Sequence, residues 1–187
     1  METKMSVFEK PFPVMEDMTV KMIRDYLKAK TSIIIPIGVT EQHGHHLPLS
    51  TDSLRATKIG KMIGERTQTL VAPTITQSYS GGGCPGTINI NPATMSLVIS
   101  DMLLSLVTQG FNKFYLFVCH GGSENFRALD NSLKMLLRSN PSFDNVLIAV
   151  MPSSKFDADN VCRAKAFKEG DWHAGWVETS EIMYLAP

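Results

Sequence analysis

Ser32-Ile33-Ile34-Ile35-Pro36-Ile37-Gly38-Val39-Thr40-Glu41-Gln42-His43 is the stretch on which the fold turns. From Ile33 to Ile37 it is an unbroken apolar run, rich in β-branched residues and without alternation. A strand with one wet face alternates polar and apolar. A short continuous run belongs to a strand covered on both faces, as in a parallel sheet. Glu41 and His43 follow the end of this strand.

Outward from it, helix and strand alternate. Residues 19–28 place Val20, Met22, Ile23 and Leu27 at helical spacing. Residues 52–66 are helical, with Leu54, Ile59, Met62 and Ile63 along one side, and 69–73 suit a second strand. After a glycine-rich turn, Pro92 opens a long apolar helix to about residue 109, with Gly110 as its stop signal. Residues 113–119 are the clearest strand. Residues 123–138 form a helix closed by Asn140-Pro141, and 145–151 read as another buried strand. This order predicts an open α/β sheet with helices on both faces. Ligands of such sheets bind beyond the carboxyl ends of the strands. The loops after three strands, carrying Glu41 and His43, the 81–86 turn, and His120, are therefore expected to meet at one sheet edge.

Composition narrows the function classes. A length of 187 residues suits one domain with its own core. Lys plus Arg number 18, as do Asp plus Glu. No basic stripe predicts a nucleic-acid partner, and no apolar stretch is long enough to span a membrane. Cys84, Cys119 and Cys162 are too few and too scattered for a disulfide framework. Met1-Glu2-Thr3-Lys4-Met5 is not followed by a leader-like apolar segment. Together these predict a cytoplasmic protein.

All five histidines fall in loops rich in glycine and carboxylates. In extended chain Glu41 and His43, two apart, point the same way. Asp52 stands at the expected N-cap of the next helix, where capping alone accounts for it. Imidazole nitrogens with carboxylate oxygens suit a divalent transition metal, and one carboxylate can bridge two ions. His45 and His46 read as loop filler or as supports behind the ligands. In Cys119-His120-Gly121-Gly122-Ser123-Glu124-Asn125, the glycines allow close backbone approach to a group bound at His120. Cys119 reads as the buried last residue of its strand, and Glu124 as a helix-dipole partner. A third cluster, Asp171-Trp172-His173-Ala174-Gly175-Trp176-Val177-Glu178-Thr179-Ser180-Glu181, reads alone as a surface loop with a helix cap before Glu181. Beside the other clusters it becomes a lid or wall that could supply a proton shuttle.

Pro36 to Asp52 closely resembles the signature of the creatininase (creatinine amidohydrolase) family. Gly81 to Thr87 is similar to its glycine-rich turn before Pro-Gly-Thr, and His120-Gly121-Gly122 to its Gly-His-Gly-Gly-Asn. His173-Ala174-Gly175 with Glu178-Thr179-Ser180 resembles its His-Ala-Gly-x-x-Glu-Thr-Ser element. The resemblance implies a three-layer α/β/α sandwich and a binuclear centre that hydrolyses an amide-type C–N bond. Carried across, Glu41 and His120 hold one metal, His43 the other, and Asp52 bridges them. His173 is the general acid/base, and Glu178 a further ligand or acid/base group. Ser80, Gly81, Gly82, Gly121 and Trp172 line the substrate pocket. Two divalent ions per chain are implied, zinc foremost, with manganese and iron accepting the same ligands. A homo-oligomer, a hexamer foremost, and a small-molecule substrate are also implied.

The chain departs from the family pattern in places. Members that hydrolyse creatinine carry Tyr-Glu after the metal histidine, where this chain has Gly121-Gly122. That points away from creatinine and makes Glu178 the replacement ligand. Relatives acting on keto-sugar or keto-inositol rings, or on formamides, are alternatives. A metal-bound but inactive scaffold is another. The chain ends at Pro187, soon after the last motif, while family members typically continue. The expectation is a single domain, 1–187, lacking the usual C-terminal portion, as a fragment or a minimal version.

Overall fold

A computed structural model describes residues 14–155 and 161–187. The N-terminal stretch read above for a leader lies outside the described residues. The run that opens the sequence argument is β1, Ser32–Ile37. It sits inside a four-stranded parallel sheet of order β2-β1-β3-β4, with β2 at Leu70–Val71, β3 at Lys113–Val118 and β4 at Leu147–Pro152. β1 and β3 pair along their whole length, from Ser32 opposite Lys113 to Ile37 opposite Val118.

Alternating β1 side chains serve opposite faces, as strand geometry requires. Ile33, Ile35 and Ile37 join the larger core with Leu103, Phe114 and Leu129, beneath α1 (Val20–Ala29), α3 (Pro92–Thr108) and α4 (Ser123–Ser139). Ile34 joins Val71, Ala56 and Phe117 on the other face, beneath α2 (Thr51–Thr67). Two short helices, α5 (Val161–Lys168) and α6 (Trp176–Leu185), continue that layer, with α6 packed on α2. The expected α/β class and three layers are therefore present. Each fully buried Ile, Leu or Phe contributes roughly 1.5–3 kcal/mol relative to exposure. The doubly covered β1–β3 pair is consequently the rigid base of everything mounted on its ends.

Three expectations need correction. The strand near residues 145–151 is not buried on both faces. Among the described residues β4 is an edge strand, paired only with β3, and Leu147 is 52% exposed. Local apolarity cannot count a strand's neighbours. On α2, the apolar side with Leu54, Ile59, Met62 and Ile63 is only half-buried. The face pressed to the interior holds Asp52, Arg55, Ala56, Gly60 and Gly64. Small residues let this helix lie close to the sheet, and its two charges find partners described below. Finally, the helix expected to be capped by a Ser or Thr just before Glu181 begins earlier, with Gly175 as its N-cap, so Glu178 and Glu181 both lie within α6.

Candidate metal centre

Three loops meet beyond the carboxyl ends of β1, β2 and β3, as the chain order predicts. Glu41 and His43 leave β1, Ser80 follows β2, and His120 comes two residues after the end of β3. Asp52 enters from the first turn of α2. It is not the N-cap, which is Ser50, so capping does not account for it. Its side chain instead turns inward and is 2% exposed.

The Asp52 carboxylate lies between two rings. Oδ2 is 3.1 Å from His120 Nδ1, and Oδ1 is 3.5 Å from His43 Nε2. Glu41 Oε2 approaches His120 Nδ1 at 3.2 Å, while its Oε1 accepts from Ser80 Oγ at 2.5 Å. Glu178 Oε2 lies 3.8 Å from His43 Nε2 and accepts from the Ala174 N–H at 2.7 Å. Ala174 achieves this with φ at +53°, a left-handed conformation that costs a non-glycine residue roughly 1–2 kcal/mol. Gly175 beside it must be glycine. A Cβ there would fall 1.0 Å from Asp171 Oδ1, and the same carboxylate accepts from Val177 N–H at the start of α6.

Ligand atoms of Glu41, Asp52 and His120 lie within 4.8 Å of one another, and so do those of His43, Asp52 and Glu178. Asp52 belongs to both sets. A third set joins Glu41 and His43 to His173. Among the described residues, Glu41 Oε2, His43 Nε2 and His120 Nε2 are buried and find no hydrogen-bond partner. Orphaned buried polar atoms of this kind are costly. Oxygen and imidazole nitrogen donors so placed fit a divalent cation such as zinc.

Electrostatics bind the set together. Burial would raise the Asp52 carboxyl, but contacts with His120 and His43 outweigh it and hold the group at about 2. Burial would lower His120, yet Asp52 and Glu41 overcome it and push the ring up to about 9. Against the same burial, His43 is raised and Glu41 lowered. Without metal, protons on the imidazoles therefore balance the acids. Burial pushes the Cys119 thiol up to about 12, so it stays protonated and is no nucleophile.

The remaining expected residues divide. Ser80, Gly121, Trp172 and His173 line a cavity of about 390 Å³ together with Glu41, Asp52, His120 and Glu178. Gly81 and Gly82 do not line it. Asn89 takes up that backbone, accepting from Ser80 and Gly81 N–H and donating to the Gly82 carbonyl. His173 is exposed. Its Nε2 lies 2.8 Å from the Gln42 carbonyl, and its ring is 4.4 Å from that of His43. His46 bonds Thr179, tying the first loop to α6, as a support would. Glu124 is exposed and pairs with Arg127. Sequence reasoning missed Arg55, Arg163 and Phe167, all of which line the cavity. The spacing of Arg55 three residues after Asp52 on a helix was the available signal.

The family model for creatininase, described as creatinine amidohydrolase, matches residues 16–187. The chain belongs to the creatininase family. It is 29% identical to the creatinine amidohydrolase of Pseudomonas putida over 169 residues, 83% of this chain and 64% of that protein. It is also 29% identical to the mycofactocin precursor peptide peptidase of Mycolicibacterium smegmatis over 163 residues, 83% of this chain and 58% of that one. The chain thus spans less than two thirds of either relative. Among solved structures, creatinine amidohydrolase (creatininase) superposes with a TM-score of 0.84 at 25% identity, covering 93% of this chain and 72% of that one. The creatininases sharing this fold include a Zn–Zn form of a mutant, at 27% identity. The creatininase-like sandwich and the donor set at its strand ends thus occur in one chain.

Proposed function

We propose that this chain is a metal-dependent hydrolase that cleaves an amide-type C–N bond, in a cyclic amide or a formamide, at a binuclear centre. The observation that carries the reading is the position of Asp52, whose two oxygens face His120 and His43 separately. Glu41 and His120 would complete the ligands of one ion, and His43 and Glu178 those of the other. Zinc is the favoured ion; manganese and iron accept the same donors. Two such ions supply a Lewis acid for the carbonyl and lower the pKa of water towards about 7.

The chain's own residues do the rest. Ser80 fixes one Glu41 oxygen and so would leave the other free to hold an ion. His173 Nε2 lies 2.8 Å from the Gln42 carbonyl and 3.2 Å from Gln42 Nε2; in the tautomer that donates to the carbonyl, Nδ1 keeps the lone pair. That nitrogen takes the proton that water loses on adding to the carbonyl carbon. It returns it to the departing nitrogen as the C–N bond breaks. Glu178, fixed by the Ala174 N–H, keeps the lid segment closed over this route. Both named relatives, an amidohydrolase and a peptidase, support an amide bond as target. Gly121-Gly122 supports a substrate other than creatinine. The same reading includes a small-molecule substrate, a cytoplasmic setting and a homo-oligomer, a hexamer foremost.

The test is elemental analysis of the purified chain, followed by a turnover screen on cyclic amides, formamides, short peptides and cyclic ketones. Close to two divalent ions per chain with turnover on an amide is the expected result. No ion after reconstitution overturns the reading. Turnover confined to ketones moves the function to ring opening, and bound metal with no turnover moves it to a scaffold.

A further inference from the structure

Arg55 is among the most deeply buried side chains described, at 1% exposure, and the reaction outlined above does not use it. A guanidinium this far from water needs charged or carbonyl partners. Nη1 donates to Glu178 Oε1 at 2.8 Å, to Asp52 Oδ1 at 3.3 Å and to the Cys119 carbonyl at 3.4 Å. Nε donates to Glu181 Oε2 at 2.5 Å, and Glu181 Oε1 accepts from Arg163. Asp52 and Arg55 are three apart on α2, and Glu178 and Glu181 are three apart on α6. Each pair therefore shares a helix face, and the two faces meet through one cation.

The oxygens that Arg55 takes are not arbitrary. By occupying Glu178 Oε1 it leaves Oε2 for the Ala174 N–H and the His43 side. On Asp52 it touches Oδ1, the oxygen facing His43, while Oδ2 faces His120. Glu41 is held from elsewhere, by Ser80. Resting on the metal reading above, we infer that Arg55, braced by Glu181, is a positioning residue that aims Asp52 and Glu178 at the ion on the His43 side. The ion on the His120 side depends on it less, because Glu41 is held by Ser80 and Arg55 does not touch Asp52 Oδ2.

The experiment is a Co²⁺ titration of metal-free protein by calorimetry and visible absorption, with the thermal midpoint recorded in parallel. Wild type is compared with Arg55→Met, Arg55→Lys and Glu181→Gln. Partners behind metal ligands are typically worth roughly 10–100-fold in metal affinity. Arg55→Met is expected to weaken one of two ions by that factor, alter its absorption band, and weaken the other ion less. Arg55→Lys restores part of the loss, and Glu181→Gln gives a smaller loss at the same ion. Where Arg55→Met does not fold, the other two variants carry the same comparison. Wild-type affinity for both ions in the variants, with only a lowered midpoint, overturns the inference, as does equal weakening of both ions. A wild-type chain that binds no ion overturns the metal reading, and this inference with it.

Discussion

Asp52 Oδ2 lies 3.1 Å from His120 Nδ1 although the two residues are 68 positions apart, and the other oxygen of the same carboxylate faces His43. One buried acid thus joins the ends of the two central strands. Asp52→Asn keeps the shape but removes the charge that both rings and both ions would share. The expected result is loss of both ions in elemental analysis. The metal-free protein should also lose about 3–5 kcal/mol, the usual cost of breaking a buried ion pair. One tightly held ion in this variant would sink the bridging role.

His173→Gln separates ligand from proton carrier. His173 is near enough to Glu41 and His43 to be a ligand, yet it is exposed and held by a backbone carbonyl. Full metal content with turnover reduced ~10²–10⁴-fold is expected for a general acid/base. A variant that loses an ion reassigns His173 as a ligand. Unimpaired turnover removes it from the mechanism.

Much of this was readable in the chain, for physical reasons that also explain the omissions. β1 announces its double burial because the alternation of a half-wet strand is missing. His120 announces itself by standing just past the end of such a strand before two glycines, whereas Asp52, in the first turn of α2, reads alone as a helix cap and stands out only through the family signature. Arg55 stayed hidden because a charged residue inside a helix reads as solvent-facing. Its burial depends on Glu178 and Glu181, 123 and 126 residues later. The edge position of β4 was equally invisible, since the number of neighbours a strand has is a property of topology. The start of α6 reads as loop, with the helix cap placed just before Glu181, because its exposed apolar residues give no single buried stripe; only Ile182 of α6 is buried.

The metal-free protein has a defined pH response. The His120 pKa is raised from 6.5 to about 9 by Asp52 and Glu41. Its contribution to stability is therefore complete below about pH 6.5 and is lost as pH rises through about 9. The Asp52 pKa is lowered from 3.8 to about 2, so its contribution is complete above about pH 4 and is lost as pH falls through about 2. The thermal midpoint of chelator-treated protein should decline on both sides of that plateau. Removing the imidazole with His120→Ala should shrink the decline between pH 6.5 and 9, leaving the part carried by His43, whose pKa is also raised. A metal-free midpoint that rises across that interval contradicts the assigned pairing.

Gly122 gives a steric test of the His120 placement. Its φ of −58° suits any residue, so backbone strain is not the reason for glycine there. A Cβ would instead stand 2.6 Å from His120 Nε2 and 3.3 Å from its Cε1, whereas at Gly121 a Cβ would meet nothing within 4 Å. Gly122→Ala must displace the ring and so disturb its Nδ1 contacts with Glu41 and Asp52. Overpacking of this kind typically costs ~1–3 kcal/mol, and the displaced ring should weaken the ion shared by Glu41, Asp52 and His120. Gly121→Ala should keep metal content and thermal midpoint near wild type. The paired measurement is metal affinity and midpoint for both variants. Equal behaviour of the two alanines would mean that the His120 ring does not sit against Gly122, and the ligand geometry built on it would have to be redrawn.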